Sequence, residues 1–455
     1  MNGLAENAGA PAHGLWRSRG YGWLAELNHE GFALHDISAL SQAPAEFLSW
    51  PEARRALDFM PRASQDAFAF RNAHDVTWYW FDRVSAPLQR AIGPGDQDPL
   101  RNFEVFCAYF EENYAFSALR GADWAALRAR FLPLLAAAPS DERLAEALTE
   151  IIAQLKDAHT SVTTPYGAIH AGSLIADRKS AVERAFGAPP WTVDRAHYTR
   201  AIQSAFGEMF LGGAYRALCN HMMICGEAAP GIGYLSFFGE FGFGASEMAR
   251  TALDLPRGRV AAADNLAAEI DALNAGLDEA ASILSGARAL IVDARLNYGG
   301  YDRLALEAAG RFTDGKRLAY TKKAWTPQGF VAEQNISFEL RRPSFAGLPI
   351  YLLTSRQTTS AGEIFALAMR ACPNVTLIGE ATLGILSDNL YKRLPNGWEV
   401  SLSNEIYQAA DGGLFEAIGV PPDVECPVFD PADVRGGFGQ AVRVAVAAAR
   451  RDLGL

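Results

Sequence analysis

The sequence predicts an α/β protein whose largely parallel sheet carries helices on both faces, preceded by a helical region and a β-rich N-terminal region. Three observations predict it. Strand-like and helix-like segments alternate from about residue 229 onward; apolar residues recur at helical spacing between Asn102 and Leu155; and residues 1–95 hold short alternating and aromatic runs.

In chain order, Trp16 to Leu27 and Gly31 to Ile37 alternate around Asn28-His29-Glu30-Gly31, the pattern of a hairpin. Val76-Thr77-Trp78-Tyr79-Trp80-Phe81 suits a strand whose rings pack in a core. Gly93-Pro94-Gly95-Asp96 reads as a linker closing a domain at residue 95. A helical subdomain, 96–228, follows. Phe103, Phe106, Cys107 and Phe110 share one face, and Leu144, Leu148, Ile151, Ile152 and Leu155 share the face of a helix entered through Ser140. Residues 165–228 read as mostly helical. In the third domain, 229–455, strands are expected at Ile232–Phe238, Ala289–Asp293, Ile350–Thr354 and Val375–Ile378. Helices are expected at Ala262–Ser285, at Tyr301–Phe312 and from Ser360 onward. Such alternation implies parallel pairing.

Composition excludes several classes. The 455 residues are 49% hydrophobic and 20% charged, with a net charge of −11, which disfavours nucleic acid and anionic membrane as partners. No run reaches the length of a membrane span, and the first residues lack a signal peptide's basic and apolar regions. The expected location is therefore cytoplasmic. Cys107, Cys219, Cys225, Cys372 and Cys426 include no C-x-x-C pair and suit reduced thiols. No Walker loop or H-E-x-x-H is present, so neither a metal nor a cofactor is expected.

Three segments hold groups with chemistry. Ser360 follows an apolar run and a polar turn and opens an amphipathic helix through Ile364, Phe365 and Met369. A serine at a strand-to-helix turn is presented as a nucleophile, against the positive end of the helix dipole. Ser360-Ala361-Gly362-Glu363 equally satisfies the capping box S-x-x-E, and the segment alone leaves both readings open. Gly299-Gly300, after the buried strand ending at Asp293, exposes backbone N–H groups as an oxyanion hole needs, though an ordinary tight turn has the same composition. His159, in Lys156-Asp157-Ala158-His159-Thr160, suits either a general base or a surface histidine.

D-A-H-T, strand-D-A-R-L-N-Y-G-G, T-S-A-G-E, I-G-E-A-T-L-G and F-E-A-I-G-V-P-P-D occur in that order. Together they resemble the C-terminal processing (tail-specific) and tricorn-core serine peptidase family, over roughly Asn102 to Asp430. The resemblance implies a crotonase-like peptidase core, with Ser360 as nucleophile and the N–H groups of Ala361 and of the Gly299-Gly300 turn as oxyanion hole. The processing-peptidase branch takes its base from a lysine in T-x-G-K-G. Here Thr382-Leu383-Gly384-Ile385-Leu386 puts isoleucine at that position, and Lys392 is the nearest lysine downstream. The tricorn-like branch uses a histidine from a D-G-H-T-like motif, which His159 matches. Ala158 replaces the serine that links this histidine to a distant glutamate. Glu416 is then the candidate orienter, directly or through water, and Asp157 the alternative, with a capping role suiting it better. No PDZ pattern is read in residues 165–228, and the N-terminal region resembles the barrel-like or lipocalin-like module of some members.

The implied function is a serine hydrolase that cleaves peptide or amide bonds through an acyl-enzyme. The alternatives are a hydrolase of a non-peptide ester, lactone or modified amide, and a catalytically inactive binding protein. The implied partner is a peptide or small acyl substrate, and a homo-oligomer is compatible with the sequence.

Overall fold

The computed structural model describes residues 13–60, 66–85, 91–171, 204, 206–244, 258–430, 432–433 and 439–455. The N-terminal part is one antiparallel sheet of seven strands: β1 (Gly14–Ser18), β2 (Trp23–Leu27), β3 (Gly31–Ile37), β4 (Gln42–Ser49), β5 (Leu57–Phe59), β6 (Ala67–Asn72) and β7 (Tyr79–Val84). Its order, β4-β3-β2-β1-β7-β6-β5, leaves β4 and β5 as edges, so the sheet is an open half-barrel. The predicted hairpin is β2–β3. Asn28 closes it, its side-chain oxygen accepting the N–H of Glu30 at 2.8 Å and of Gly31 at 3.2 Å. One helix inside this region, α1 (Trp50–Ala56), escaped the sequence reading although its signal was there. Ser49, Pro51 and Glu52 form a capping box with proline in the first turn, and Ser49 N–H donates to Glu52 at 2.9 Å.

Three helices follow: α2 (Pro99–Asn113), α3 (Trp124–Ala137) and α4 (Asp141–Leu155). Each has a capping acceptor, from Asp98, Asp123 and Ser140. The predicted faces are buried: Phe103, Phe106, Cys107 and Phe110 on α2, and Leu144, Leu148, Ile151, Ile152 and Leu155 on α4. These side chains share one apolar cluster with the half-barrel rings Trp16, Phe32, Phe70 and Phe81. At about 2 kcal/mol for each fully buried Leu, Ile or Phe, that common core fixes the helices against the sheet. Lys156 ends α4 in the left-handed conformation, φ 50°, and turns the chain into Asp157-Ala158-His159.

The next span corrects the sequence reading. After β8 (Ser161–Thr164), the described residues of 165–228 are helical over 206–211, but β9 (Gly167–His170), β10 (Tyr215–Leu218) and β11 (Met223–Ala229) account for much of the rest. Short runs such as M-I-C-G-E-A-A suit helix and strand alike, and pairing with neighbours decides between them. Half of residues 165–228, where no PDZ pattern is read, lies at 172–203, outside the described residues.

The second large sheet adds β12 (Ile232–Phe237), β13 (Ala289–Asp293), β16 (Ile350–Thr354), β17 (Val375–Gly379) and β21 (Val424–Glu425) to β10 and β11. Pairing is parallel from β12 through β21 and antiparallel at β10–β11–β12. Between these strands run α5 (Arg259–Ile283), α6 (Asp302–Ala309), the hairpin β14 (Arg317–Thr326) and β15 (Gly329–Phe338), and α7 (Ala361–Arg370). The chain continues through β18 (Asn389–Arg393), β19 (Glu399–Ser403) and β20 (Glu405–Ala409) and ends in α8 (Gln440–Asp452). β20 joins β14 in a three-stranded sheet, and β18, β19, β8 and β9 form a four-stranded one.

Two consequences place the site. β13 and β16 are adjacent and parallel, with Asp293 opposite Leu353, so their carboxyl ends deliver residues 294–300 and 355–360 side by side. The pairing of β8 with β19 fixes the His159 turn, and Ser401 Oγ donates to the His159 carbonyl at 2.8 Å.

Lys392 has a different role from a base. It lies on β18 with its ammonium buried against the half-barrel, donating to Gly22 O at 2.7 Å and Asp36 at 3.1 Å and resting over the Trp23 ring. Removing one partner of such a buried pair costs about 3–5 kcal/mol. Asp36→Ala should therefore lower the urea midpoint of unfolding clearly, and an unchanged midpoint would show that the pair does not join the two parts.

Candidate active site

Ser360 stands at the N-cap of α7, with φ 56° and ψ −127°. An ordinary N-cap lies in the β region, whereas a positive φ in a residue bearing a Cβ is sparsely populated and costs of order 1–3 kcal/mol. The capping box is nevertheless present: Ser360 N–H donates to Glu363 Oε2 at 3.1 Å. Both readings of S-A-G-E thus describe the same turn, and the backbone conformation goes beyond what a cap requires.

Glu363 holds this turn. Its carboxylate has no exposed surface and also accepts Thr382 Oγ1–H at 2.5 Å, Gly384 N–H at 2.7 Å and Ile385 N–H at 2.9 Å. Burial pushes its pKa up while these bonds pull it down. All four partners are donors, since the Thr382 oxygen already accepts Val420 N–H at 2.7 Å, and this set fits the ionised form. Ile385, at the lysine position of the related motif, is buried.

The glycine turn lies directly against the serine. A Cβ on Gly299, at φ 78°, would come within 2.7 Å of the Ser360 Cβ and 2.6 Å of the Thr359 carbonyl. Thr359 N–H donates to Asn297 O at 3.0 Å, Thr358 Oγ1 to Ala294 O at 2.7 Å and Ser355 Oγ to Arg295 O at 2.6 Å, lacing the two turns together. Gly299 N–H is engaged by Asn297 Oδ1 at 3.0 Å. Among the described residues, Gly300 N–H and Ala361 N–H have no acceptor. Of the three groups expected at an oxyanion hole, these two are available.

His159 sits in a turn tied by Asp157. The Asp157 carboxylate is buried and accepts His159 N–H at 3.0 Å and the Tyr114 hydroxyl at 3.0 Å, which makes it a support of the turn. Nδ1 of His159 is sealed from solvent without a partner among the described residues. Desolvation lowers the imidazole pKa, against opposing contributions from Asp157 and the Ser387 backbone.

Glu416 meets the same segment from another side. It accepts Leu386 N–H at 2.9 Å and Ser387 N–H at 3.3 Å, and Arg120 lies 3.6 Å from Oε1. Burial, with Asp157 and Glu363 nearby, pushes its carboxyl up to about 8, and Arg120 opposes this. No direct bond joins Glu416 to His159 among the described residues; both reach the Ser387 backbone instead. Residues 382–388 therefore bridge the serine side, through Glu363, and the histidine side, through Ser387.

Residues 261–426 match Peptidase family S41, and residues 96–153 match the Tricorn protease C1 domain. The chain is thus similar to peptidase family S41 over residues 261–426. It is 30% identical over 149 residues to the carboxy-terminal processing protease CtpA of Bacillus subtilis, a match covering 32% of this chain and 30% of that one. It is 27% identical over 153 residues to the carboxyl-terminal-processing protease of Synechocystis, covering 33% and 34%. The chain thus spans about a third of the length of these curated relatives. The crystal structure of a putative peptidase from Parabacteroides merdae shares the fold, with a TM-score of 0.60 at 22% identity, over 78% of this chain and 97% of that one. The family comprises serine-type peptidases, and this chain carries its domain together with the tricorn-type C1 segment. Among the described residues no helix is long and apolar enough to cross a membrane.

Sequence reasoning missed Asn297, Arg120, Thr382 and the wider role of Glu363. Glu363 left a signal as the fourth residue of the capping box, and Asn297 and Thr382 stand within the quoted motifs without their bonds being legible; Arg120 meets Glu416 only across a large sequence separation. Glu363→Gln would turn an amide N–H₂ toward a cage of donors. Leaving such groups unpaired costs about 1–3 kcal/mol each, so a lower melting temperature is expected, and an unchanged one would refute the anchoring role.

Proposed function

We propose that the chain is a serine peptidase with Ser360 as nucleophile and His159 as general base, on a crotonase-like core. The strained Ser360 backbone beside two unengaged N–H groups supports this reading most strongly. A residue that only started a helix would gain nothing from φ 56°, whereas a nucleophile held at a strand-to-helix turn is presented in this way. In the reaction His159 takes the Ser360 hydroxyl proton, Ser360 Oγ attacks the amide carbonyl, and the N–H groups of Gly300 and Ala361 receive the oxyanion. The protonated imidazole then gives its proton to the leaving amine. Water resolves the acyl-enzyme by the same steps. Glu416 acts as a positioning acid, fixing the Ser387 backbone beside His159 with help from Arg120.

The lysine-based alternative lacks its residue. Ile385 has no proton to exchange, and Lys392 is occupied with Asp36 and Gly22. An inactive binding protein would have no need of the strained turn. The names of the curated relatives describe processing at carboxyl termini, and a peptide substrate is the class we extend to this chain.

A fluorophosphonate probe tests the reading by intact mass. Wild type should gain one adduct, and Ser360→Ala and His159→Ala should gain none; an adduct retained by Ser360→Ala would refute the assignment. Glu416→Ala should label about 10–100-fold more slowly, as a positioning role predicts. The acid side of the pH profile gives a further check. Neutral imidazole is the active form and burial lowers its pKa, so labelling should fall only as pH drops through a midpoint below the usual 6.5. A midpoint above 6.5 would contradict a buried base.

A further inference from the structure

Glu240 follows β12 and is completely buried. Its N–H donates to Gly299 O at 2.8 Å and its carbonyl accepts Tyr301 N–H at 2.9 Å, so its backbone straddles Gly300. The fit is close: a Cβ on Gly300, at φ 146°, would lie 2.2 Å from the Glu240 carbonyl oxygen. Through its side chain Glu240 reaches the same turn again. Oε1 accepts Asn297 Nδ2–H at 2.9 Å, which obliges the Asn297 amide to present its oxygen to Gly299 N–H. That arrangement engages the Gly299 N–H and leaves the Gly300 N–H without an acceptor among the described residues.

The chemistry around this carboxyl is unusual for an ionised group. Oε2 is sealed from solvent without a partner, and no cation lies against it among the described residues. Among the described residues Asn297 supplies the one hydrogen bond acting on it. The neighbouring titratable groups are Tyr301, whose hydroxyl receives a bond from Asn265, and Glu269 on α5, which accepts the N–H groups of Phe243 and Gly244. Neither side chain bonds to the Glu240 carboxyl among the described residues. A carboxylate with one neutral donor and no countercharge is poorly stabilised away from water.

We propose that Glu240 is a positioning residue that works in its neutral form, setting the Asn297 amide and thereby the oxyanion turn, and that its ionisation disables the site. The proposal rests on the reading of Ser360 as nucleophile. Ionisation would place a negative charge beside N–H groups whose task is to receive an oxyanion, and like charges oppose each other most strongly where water is excluded. Desolvation pushes this carboxyl up to about 8, which places the transition on the alkaline side of neutrality.

The test is the pH dependence of fluorophosphonate labelling from pH 6 to 10, each protein normalised to its own rate at pH 7. Neutral Glu240 should fall about tenfold in population between pH 7 and 9, and wild-type labelling should fall with it. Glu240→Gln is permanently neutral and keeps an acceptor for Asn297, so its alkaline fall should vanish while the acid limb set by His159 stays in place. Glu416 and Asp302 are also pushed up to about 8, and both are untouched in this variant, so an alkaline fall that it leaves unchanged belongs to them rather than to Glu240. Asn297→Ala is the second probe. It removes the amide that Glu240 orients, so its labelling rate at pH 7 should drop at least about tenfold with its melting curve still cooperative. An alkaline fall that persists in Glu240→Gln, or none in wild type, would overturn the proposal while leaving Ser360 reactive. Failure of wild type to label at any pH would instead strike the underlying reading.

Discussion

A carboxylate with no exposed surface, Glu363, accepts four hydrogen bonds, and through them the Ser360 turn and the 382–388 segment become one unit. The rest of the site depends on this constraint. A backbone at φ 56° and ψ −127° does not persist in a residue with a Cβ unless its surroundings over-determine it. Glu363 supplies one side of that support. The other comes from the 294–300 turn, where Asn297, Ala294 and Arg295 offer carbonyls to the residues just before Ser360.

The arrangement follows from topology. Adjacent parallel strands place two turns at their carboxyl ends, and the glycines let the two backbones approach closely beside Ser360. Histidine arrives from a distant part of the sequence, anchored by the β8–β19 pairing, whose connecting hydrogen bond spans 242 residues. The half-barrel and helical region share a core and are pinned to the peptidase part by Lys392, so the lysine nearest the related family's base position is used for assembly.

Local chemistry was legible in the sequence where it resided in short segments. The β2–β3 hairpin, the buried face of α4, the parallel strands β13, β16 and β17 and the serine–glycine constellation all have signals within a dozen residues. What the sequence could not show depends on distant partners. β10 and β11 are strands because β12 is beside them, and Arg120 meets Glu416 only through the fold. The buried carboxyls show the same limit from another direction. Nothing in F-G-E-F announces that Glu240 has no countercharge among the described residues, because that property belongs to its surroundings.

The most direct measurement is a crystal structure of the phosphonylated protein. Covalent attachment at Ser360 Oγ, with the phosphoryl oxygen within about 2.7–3.1 Å of the N–H groups of Gly300 and Ala361, is the result this account predicts. A phosphoryl oxygen directed away from both groups, or attachment at another residue, would contradict it.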